Sequence, residues 1–181
     1  TATADPYTNT IAYSLSVMDP ELEIFLVDID QNSAHGHSLD LSYSSAHFCH
    51  SVGSAFPFTN SNIIKTISLE SLHSLNPDLL IITASFPRPV DSSKKSSTKG
   101  WRLEFLKLNK PLIVEIATHL QSMNPIPVIV VTNPLDRMTY HLWKTSHWPR
   151  KFFFGYSLSE QARMAYYISQ LKQVPSSDVY C

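Results

Sequence analysis

The sequence is poor in glycine, cysteine and charged residues. It contains 4 glycines against 12 prolines, and charged residues make up 16% of its 181 positions, compared with roughly 25% in ordinary soluble domains. The two cysteines, Cys49 and Cys181, are too few for a disulfide framework or a cysteine-based zinc site. Because the net charge is only −1, we expect neither nucleic acid nor an anionic membrane surface as a partner.

A long apolar run is also absent. No stretch approaches the length of about 18–20 residues that a membrane-spanning helix needs, and no signal-peptide pattern opens the chain. We therefore expect a soluble protein without membrane insertion, in a compartment that the sequence does not identify, an organelle being one option. Hydrophobic residues make up 43% of the chain, and this length suits one domain with a sizeable core. We predict a single domain over residues 1–181 with a flexible Ser/Lys-rich loop at 91–100.

Apolar runs of strand length alternate with helix-periodic segments. Strands are predicted at 23–28, 63–66, 78–83, 127–132 and 151–154, helices at 11–18, 32–45, 101–123, 135–145 and 158–173, and a helical turn at 69–75. The runs 78–83 and 127–132 are continuously apolar, which is typical of parallel strands covered on both faces. The predicted fold class is therefore α/β, a doubly wound, mostly parallel and Rossmann-like sheet.

The first apolar strand ends in an acidic side chain, Asp28, directly before a predicted helix. A dinucleotide-binding sheet presents a carboxylate to the adenosine ribose in this way. An acid at this place can also cap a neighbouring helix, so the residues leave both roles open. The glycine-rich loop that should precede such a strand is missing, because residues 1–10 contain no glycine.

Several ordered motifs resemble the nucleotide-binding half of the lactate and malate dehydrogenase family. The matching segments are 12–15 (AYSL), 26–30 (LVDID) with 39–41 (LDL), 78–84 with 87–89 (PRP), 102–104 (RLE) with Asn109, 131–136 (VTNPLD), 139–140, 143–144 and 162–163. Each motif is weak alone, but their order and spacing make the resemblance strong over nearly the whole chain. The Pro-Arg-Pro element is more similar to the malate branch than to the lactate branch.

The resemblance implies NAD as cofactor and roles for three side chains near it. Asp28 would bind the adenosine ribose hydroxyls, and Asn109 would belong to the same cofactor site. Asn133, which follows a buried strand, would orient the substrate and the nicotinamide ring. From the residues alone, an Asn-Pro pair at this point can equally cap the following helix.

Three arginines would bind the substrate in such a family member. Arg88 and Arg102 would flank a mobile loop that closes on a dicarboxylate and pairs with its charge. Arg163 would hold the substrate carboxylate through two parallel hydrogen bonds, which lysine could not replace. The alternative for each is an arginine on a solvated surface, and the Ser/Lys insertion between Arg88 and Arg102 is longer than a closing loop of this kind should be.

The phosphate-binding turn departs from the family pattern. Alignment to the family places Ala2, Asp5 and Thr8 where glycines belong, although backbone amides approach a pyrophosphate closely only when Cβ atoms are absent. Asp5 would face two phosphates with a like charge, and Pro6 removes an amide. We therefore expect impaired binding of NAD in its usual pose and no resident cofactor.

The catalytic pattern departs as well. Glu160 stands where an aspartate should orient the catalytic histidine, and the chain reaches Cys181 without the family's His-Gly-Asp segment. Hydride transfer at a hydroxyl-bearing carbon needs a proton relay, so no catalytic residue is assigned. The first strand of the fold is missing or reduced to Thr1–Ala4, which would leave two unpaired sheet edges for another protein subunit to cover.

The remaining ring-bearing residues give no site. Four histidines were candidates for metal ligands: His35, His37, His47 and His50. Because residues two positions apart on a helix face away from each other, the His-Gly-His pair cannot share an ion, and we predict no metal. The aromatic groups at 152–154 and 166–167 are predicted to lie in the core or in an interface.

These observations give one leading hypothesis and two alternatives. The first is a malate dehydrogenase-like domain that has lost catalysis and serves as a structural or interaction subunit of a larger assembly. The alternative from a different class is an active NAD-dependent malate dehydrogenase, present as a partial or divergent chain. A third option is a non-catalytic binder of another nucleotide or metabolite in the same cleft.

Overall fold

Helices and strands alternate along the chain. The structure, a computed structural model, describes residues 6–19, 21–48, 63–87 and 100–179. The strands are β1 (Glu23–Val27), β2 (Ile63–Ile67), β3 (Leu80–Ile82), β4 (Val128–Val130) and β5 (Phe153–Gly155). The helices are α1 (Pro6–Met18), α2 (Gln31–Phe48), α3 (Gly100–Leu120), α4 (Leu135–Ser146) and α5 (Leu158–Lys172), with short 3-10 turns at Leu69–Ser74, Arg150–Phe152 and Ser176–Asp178.

The strands form two parallel sheets. β1 pairs with β2, with Leu26 opposite Thr66. β4 lies between β3 and β5, with Ile129 opposite Ile81 on one side and Phe154 on the other. In the described ranges no strand pairs with the second edge of β1 or of β3. The predicted α/β class with parallel strands is confirmed. The segment Thr1–Ala4, to which the sequence assigned a reduced first strand, lies outside the described residues.

The larger hydrophobic core lies between the three-stranded sheet and the helices α3 and α4. Its fully buried side chains are Ile113, Ala117 and Leu120 of α3, Val128 and Val130 of β4, and Met138 and Leu142 of α4. The apolar residues of α3 recur at three- and four-residue intervals, so one face of the helix covers the sheet. This core holds β3, β4 and their following loops in place.

A second, smaller core supports the two-stranded sheet. It contains Ala12 of α1, Leu26 of β1, Leu41 of α2 and Ile64 of β2. Helices α1 and α2 thus both contribute to the core that supports the two-stranded sheet, and α2 begins at Gln31, shortly after β1 ends at Val27.

Helix α5 is mostly exposed. Of its residues only Ser169 is buried, and Tyr166, Tyr167 and Leu171 are exposed, as is Phe154 in β5. The prediction of a core position is therefore wrong for Phe154, Tyr166 and Tyr167, because no described element covers them. Their place in an interface stays a prediction. The predicted loop at 91–100 lies outside the described residues except for Gly100, which begins α3. No helix in the described ranges has the length and apolar character to cross a membrane.

Candidate functional site

The carboxyl ends of the parallel strands form the candidate site. β1 leads into Asp28, β3 into Thr83 and β4 into Asn133, and open α/β sheets bind ligands at this edge. Helix α1 begins beside it, because Thr8 Oγ1 and Thr83 Oγ1 share a hydrogen bond of 2.5 Å. The amino end of a helix carries a partial positive charge and favours anions, so α1 points a suitable dipole at this edge.

Asp28 is half-buried and makes one hydrogen bond through its side chain. Its Oδ1 accepts from the backbone N–H of Asp30 at 2.9 Å, and Oδ2 has no protein partner in the described part of the chain. A carboxylate oxygen in this state can accept a hydrogen bond from a ligand hydroxyl. The geometry therefore fits the ribose-binding role that the resemblance implies for Asp28.

The capping role belongs to Asp30. Its Oδ1 accepts from the backbone N–H groups of Asn32 and Ser33, each at 3.1 Å, and these are the second and third residues of α2. This is the hydrogen-bond pattern of an N-cap aspartate. Asp30, and not Asp28, therefore caps α2. The sequence Asp-Gln-Asn-Ser, with an aspartate directly before the helix, could have revealed this capping role.

Asn109 lies in the middle of α3 and is fully buried. Its Oδ1 accepts from the Phe86 N–H at 2.9 Å, and its Nδ2 donates to the Asn133 carbonyl at 2.8 Å and to Ser85 Oγ at 3.2 Å. The side chain therefore joins the loop after β3 to the loop after β4. A direct contact between Asn109 and a cofactor stays a prediction. The hydrogen bonds of Asn109 do not favour it, since both hydrogens of its amide nitrogen already have acceptors in the protein.

Asn133 is exposed and does not cap the following helix. Pro134 occupies the N-cap position of α4, and no side-chain cap hydrogen bond is made. The loop that carries Asn133 is tied to the loop after β3, because Thr132 Oγ1 donates to the Ala84 carbonyl at 2.9 Å. The side chain of Asn133 therefore remains available at the edge where Asp28 also lies.

Glu160 and Arg163 form a pair on α5. Arg163 Nη1 lies 2.8 Å from Glu160 Oε1, and their side chains are 65% and 63% exposed. A pair this exposed contributes little to stability, so both side chains can exchange this contact for another. The substrate-binding role of Arg163 and the orienting role of Glu160 stay predictions.

The other candidate residues are brought together only in part. Arg88, Ala2 and Asp5 lie outside the described residues, and Arg102 is exposed on the first turn of α3. Thr8, at a position where the resemblance expects glycine, uses its hydroxyl to hold Thr83. Of the two arginines that would flank the predicted closing loop, only Arg102 lies in the described part of the chain.

The described histidines do not form a metal centre. Within the described ranges no three His, Cys, Asp or Glu side chains come together to hold an ion. Instead, Nδ1 of His37 accepts a hydrogen bond from Nδ2 of Asn9, with 2.9 Å between the two atoms. This bond joins α1 to α2. Sequence reasoning missed this contact, since nothing in the spacing of Asn9 and His37 predicts how the two helices cross.

Comparison with known proteins identifies the family. A model of the lactate/malate dehydrogenase NAD-binding domain matches residues 7–155. The malate dehydrogenase of Pyrobaculum calidifontis is 28% identical over 158 residues, which is 86% of this chain and 45% of the relative. That of Nitrosococcus oceani is 32% identical over 149 residues, covering 81% of this chain and 42% of the relative. The chain thus spans about half the length of the curated relatives it matches.

Solved structures agree with this. The malate dehydrogenase of Aeropyrum pernix superposes with a TM-score of 0.68 at 26% identity, covering 93% of this chain and 50% of that one. A lactate dehydrogenase of Cryptosporidium parvum, solved with lactic acid and nicotinamide adenine dinucleotide, gives a TM-score of 0.70 at 27% identity, covering 95% and 49%. The fold is therefore that of Rossmann-type dehydrogenases, and the chain belongs to the lactate/malate dehydrogenase family, whose NAD-binding domain it carries.

Proposed function

We propose that this chain binds NAD at the carboxyl ends of β1, β3 and β4, as the cofactor domain of a malate-type dehydrogenase. The observation that carries the proposal is the half-buried carboxylate of Asp28 at the end of β1, whose Oδ2 has no partner among the described residues. Family membership and a relative solved with NAD support this choice of ligand. This proposal replaces the expectation, drawn from the sequence, that the chain has no resident cofactor.

The residues fit the adenosine end of NAD better than its phosphates. A strand-end carboxylate can accept hydrogen bonds from both ribose hydroxyls, and the beginning of α1 lies at the same edge. Pro6, the first residue of α1, has no N–H to offer a phosphate. We therefore expect the ribose contact to contribute more of the binding free energy here than the phosphate turn does.

Bound NAD would supply a hydride acceptor next to Asn133. The side chains of Asn133 and Arg163 would hold a 2-hydroxy dicarboxylate by hydrogen bonds and charge, with Arg88 and Arg102 joining from the segment between them. A guanidinium binds a carboxylate through two parallel N–H groups. These assignments follow from the family resemblance, and the reaction itself is part of the proposal.

Calorimetric titration of NADH into the chain and into Asp28→Ala tests the proposal. We expect saturable binding to the chain and at least about tenfold weaker binding to the variant, since hydrogen bonds to a charged group are worth about 1.5–3 kcal/mol. Asp40→Ala, which removes an exposed aspartate from α2, is the matched control and should bind like the parent. Equal affinity in all three proteins would overturn the assignment of Asp28.

A second candidate is a domain that has lost catalysis and serves as a structural or interaction subunit. Two observations favour it: the edges of β1 and β3 with which no described strand pairs, and the exposed apolar side chains of α5. An unpaired strand edge is a template for another strand. A folded sample that neither binds NADH nor oxidises it with oxaloacetate would favour this candidate, and either activity would count against it.

A further inference from the structure

A fully buried amide lies in the middle of α3. Asn109 has 0% exposure, and its helix neighbours on the same face are the apolar Phe105, Leu112 and Ile113. A polar group in such surroundings destabilises the fold unless each of its hydrogen-bonding atoms finds a partner. The partners it finds therefore show what this residue does.

The three hydrogen bonds of Asn109 connect two loops at the candidate site. The acceptor Oδ1 holds the N–H of Phe86, which lies in the loop after β3. The donor Nδ2 holds the carbonyl of Asn133 and the hydroxyl of Ser85. Both hydrogens of the amide nitrogen are used, so none is left for a ligand.

We infer that Asn109 is a positioning residue that sets the orientation of Asn133, an inference that rests on the proposed function. Its 2.8 Å bond fixes the carbonyl of Asn133 and with it the peptide plane between Asn133 and Pro134. The φ angle of Pro134 is −70°, in the narrow range that its ring permits. With this carbonyl held and the φ angle of Pro134 restricted, the backbone that carries the Asn133 side chain is tied to α3.

Asn109 also holds the loop after β3, through the N–H of Phe86. Phe86 directly precedes Pro87, the last described residue before the segment that carries Arg88. A displacement of α3 would therefore move the hydrogen bonds to both loops together. The spacing between the two loops therefore depends on the buried side chain of Asn109, which is hydrogen-bonded to both.

The variant Asn109→Asp separates these contacts. A carboxylate of the same size can still accept from Phe86, but it has no N–H for the Asn133 carbonyl. Ser85→Ala removes the other acceptor of the same nitrogen, together with the hydrogen bond that Ser85 donates to the Phe86 carbonyl, and leaves the bond to Asn133 in place. Ser146→Ala removes a buried hydroxyl at the end of α4 and controls for the loss of a buried hydrogen bond elsewhere.

Affinities for NADH and ADP-ribose, which lacks the nicotinamide, provide the readout. In Asn109→Asp we expect NADH to bind about tenfold more weakly while ADP-ribose binds unchanged, since one hydrogen bond at the nicotinamide end is misplaced. The Ser85 and Ser146 variants should bind both ligands as the parent does. Equal weakening of both ligands in Asn109→Asp, or no weakening of either, would overturn the inference.

Amide hydrogen exchange over residues 131–136 keeps this test separate from the proposed function. Exchange there should be faster in Asn109→Asp than in the parent, Ser85→Ala or Ser146→Ala, because the loop loses its hold on α3. Unchanged exchange would show that Asn109 does not position the loop. A parent chain that binds neither ligand would refute the proposed function, and the exchange result would still decide the role of Asn109.

Discussion

Two aspartates that lie two positions apart have different partners. Asp30 caps α2 by accepting from two backbone N–H groups, while Oδ1 of Asp28 accepts from the backbone N–H of Asp30 and its Oδ2 meets no partner in the described ranges. In a strand-to-helix turn the chain reverses direction, so alternate side chains meet different surroundings. The side chain of Asp30, the residue directly before the helix, is the one that reaches the N–H groups of its first turn.

Removal of the cap should affect stability. Asp30→Ala leaves the N–H groups of Asn32 and Ser33 without their side-chain acceptor, and we expect it to lower the free energy of unfolding by about 1 kcal/mol. Urea denaturation followed by circular dichroism measures this. Asp40→Ala, on the exposed face of the same helix, should change it by less than about 0.5 kcal/mol; equal losses in the two variants would contradict the capping assignment.

His141 should make stability depend on pH. Burial, followed by the nearby charges of Lys110 and Arg137, holds the pKa of His141 below its ordinary value of 6.5. The unfolded chain then takes up this proton more readily than the folded chain, so stability falls as the pH drops through about 6.5.

The test for His141 is the urea-unfolding free energy at several pH values between about 7 and 5. In His141→Gln we expect a shallower decline over this interval than in the parent chain, because the variant has no imidazole to protonate at this position. A decline that is equally steep in both proteins would contradict the role assigned to His141.

Sequence reasoning placed residues on strands, helices and loops more reliably than it predicted their contacts. The position of Asp28 at a strand end predicted its place, because strand direction and alternation fix it. The contacts of Asn109 were not predictable, since they depend on how α3 packs against two loops that are distant in sequence. The same holds for Thr8 and Thr83, which are 75 positions apart.

At the scale of elements, α3 and α4 form the principal helix pair. Leu142 is fully buried against the larger core, whereas Leu171 of α5 is 80% exposed. Replacement of leucine by alanine at position 142 and at position 171 therefore tests which of the two side chains lies in the core.

We expect Leu142→Ala to lower the free energy of unfolding by about 2–5 kcal/mol, from lost burial and the cavity that remains. Leu171→Ala should change it by less than about 0.5 kcal/mol. Chemical denaturation of both variants measures the difference. Similar losses in the two variants would contradict the packing described for α4 and α5.

The elements themselves followed closely from the sequence pattern. The boundaries of α4 and β1 differ from prediction by one residue, because apolar periodicity and the polar residues at their ends both mark them. The strands β3 and β4 are shorter than their apolar runs, since pairing with neighbours, rather than apolar character, defines a strand. The exposure of α5 was not predictable, because an apolar stripe indicates a buried face without showing what buries it.

At the scale of the whole molecule, the sheet is divided between β1 and β3. Each part has its own hydrophobic core, and the hydrogen bond between Thr8 and Thr83 joins them at the edge where the ligand would lie. A dinucleotide that spans this edge would contact both parts. Ligand binding is therefore expected to stabilise the arrangement of the two parts as well as each site residue, by an amount that grows as the logarithm of one plus the ligand concentration divided by its dissociation constant.

An NMR titration of the isotope-labelled chain with NADH shows whether the cofactor binds at the three strand ends. We predict saturable shifts of the backbone amides that follow β1, at Ile29 and Asp30, together with those after β3 and β4, and saturation only at higher NADH concentration in Asp28→Ala. A folded chain whose amides at these three strand ends do not respond to NADH would contradict NAD binding at this edge of the sheet.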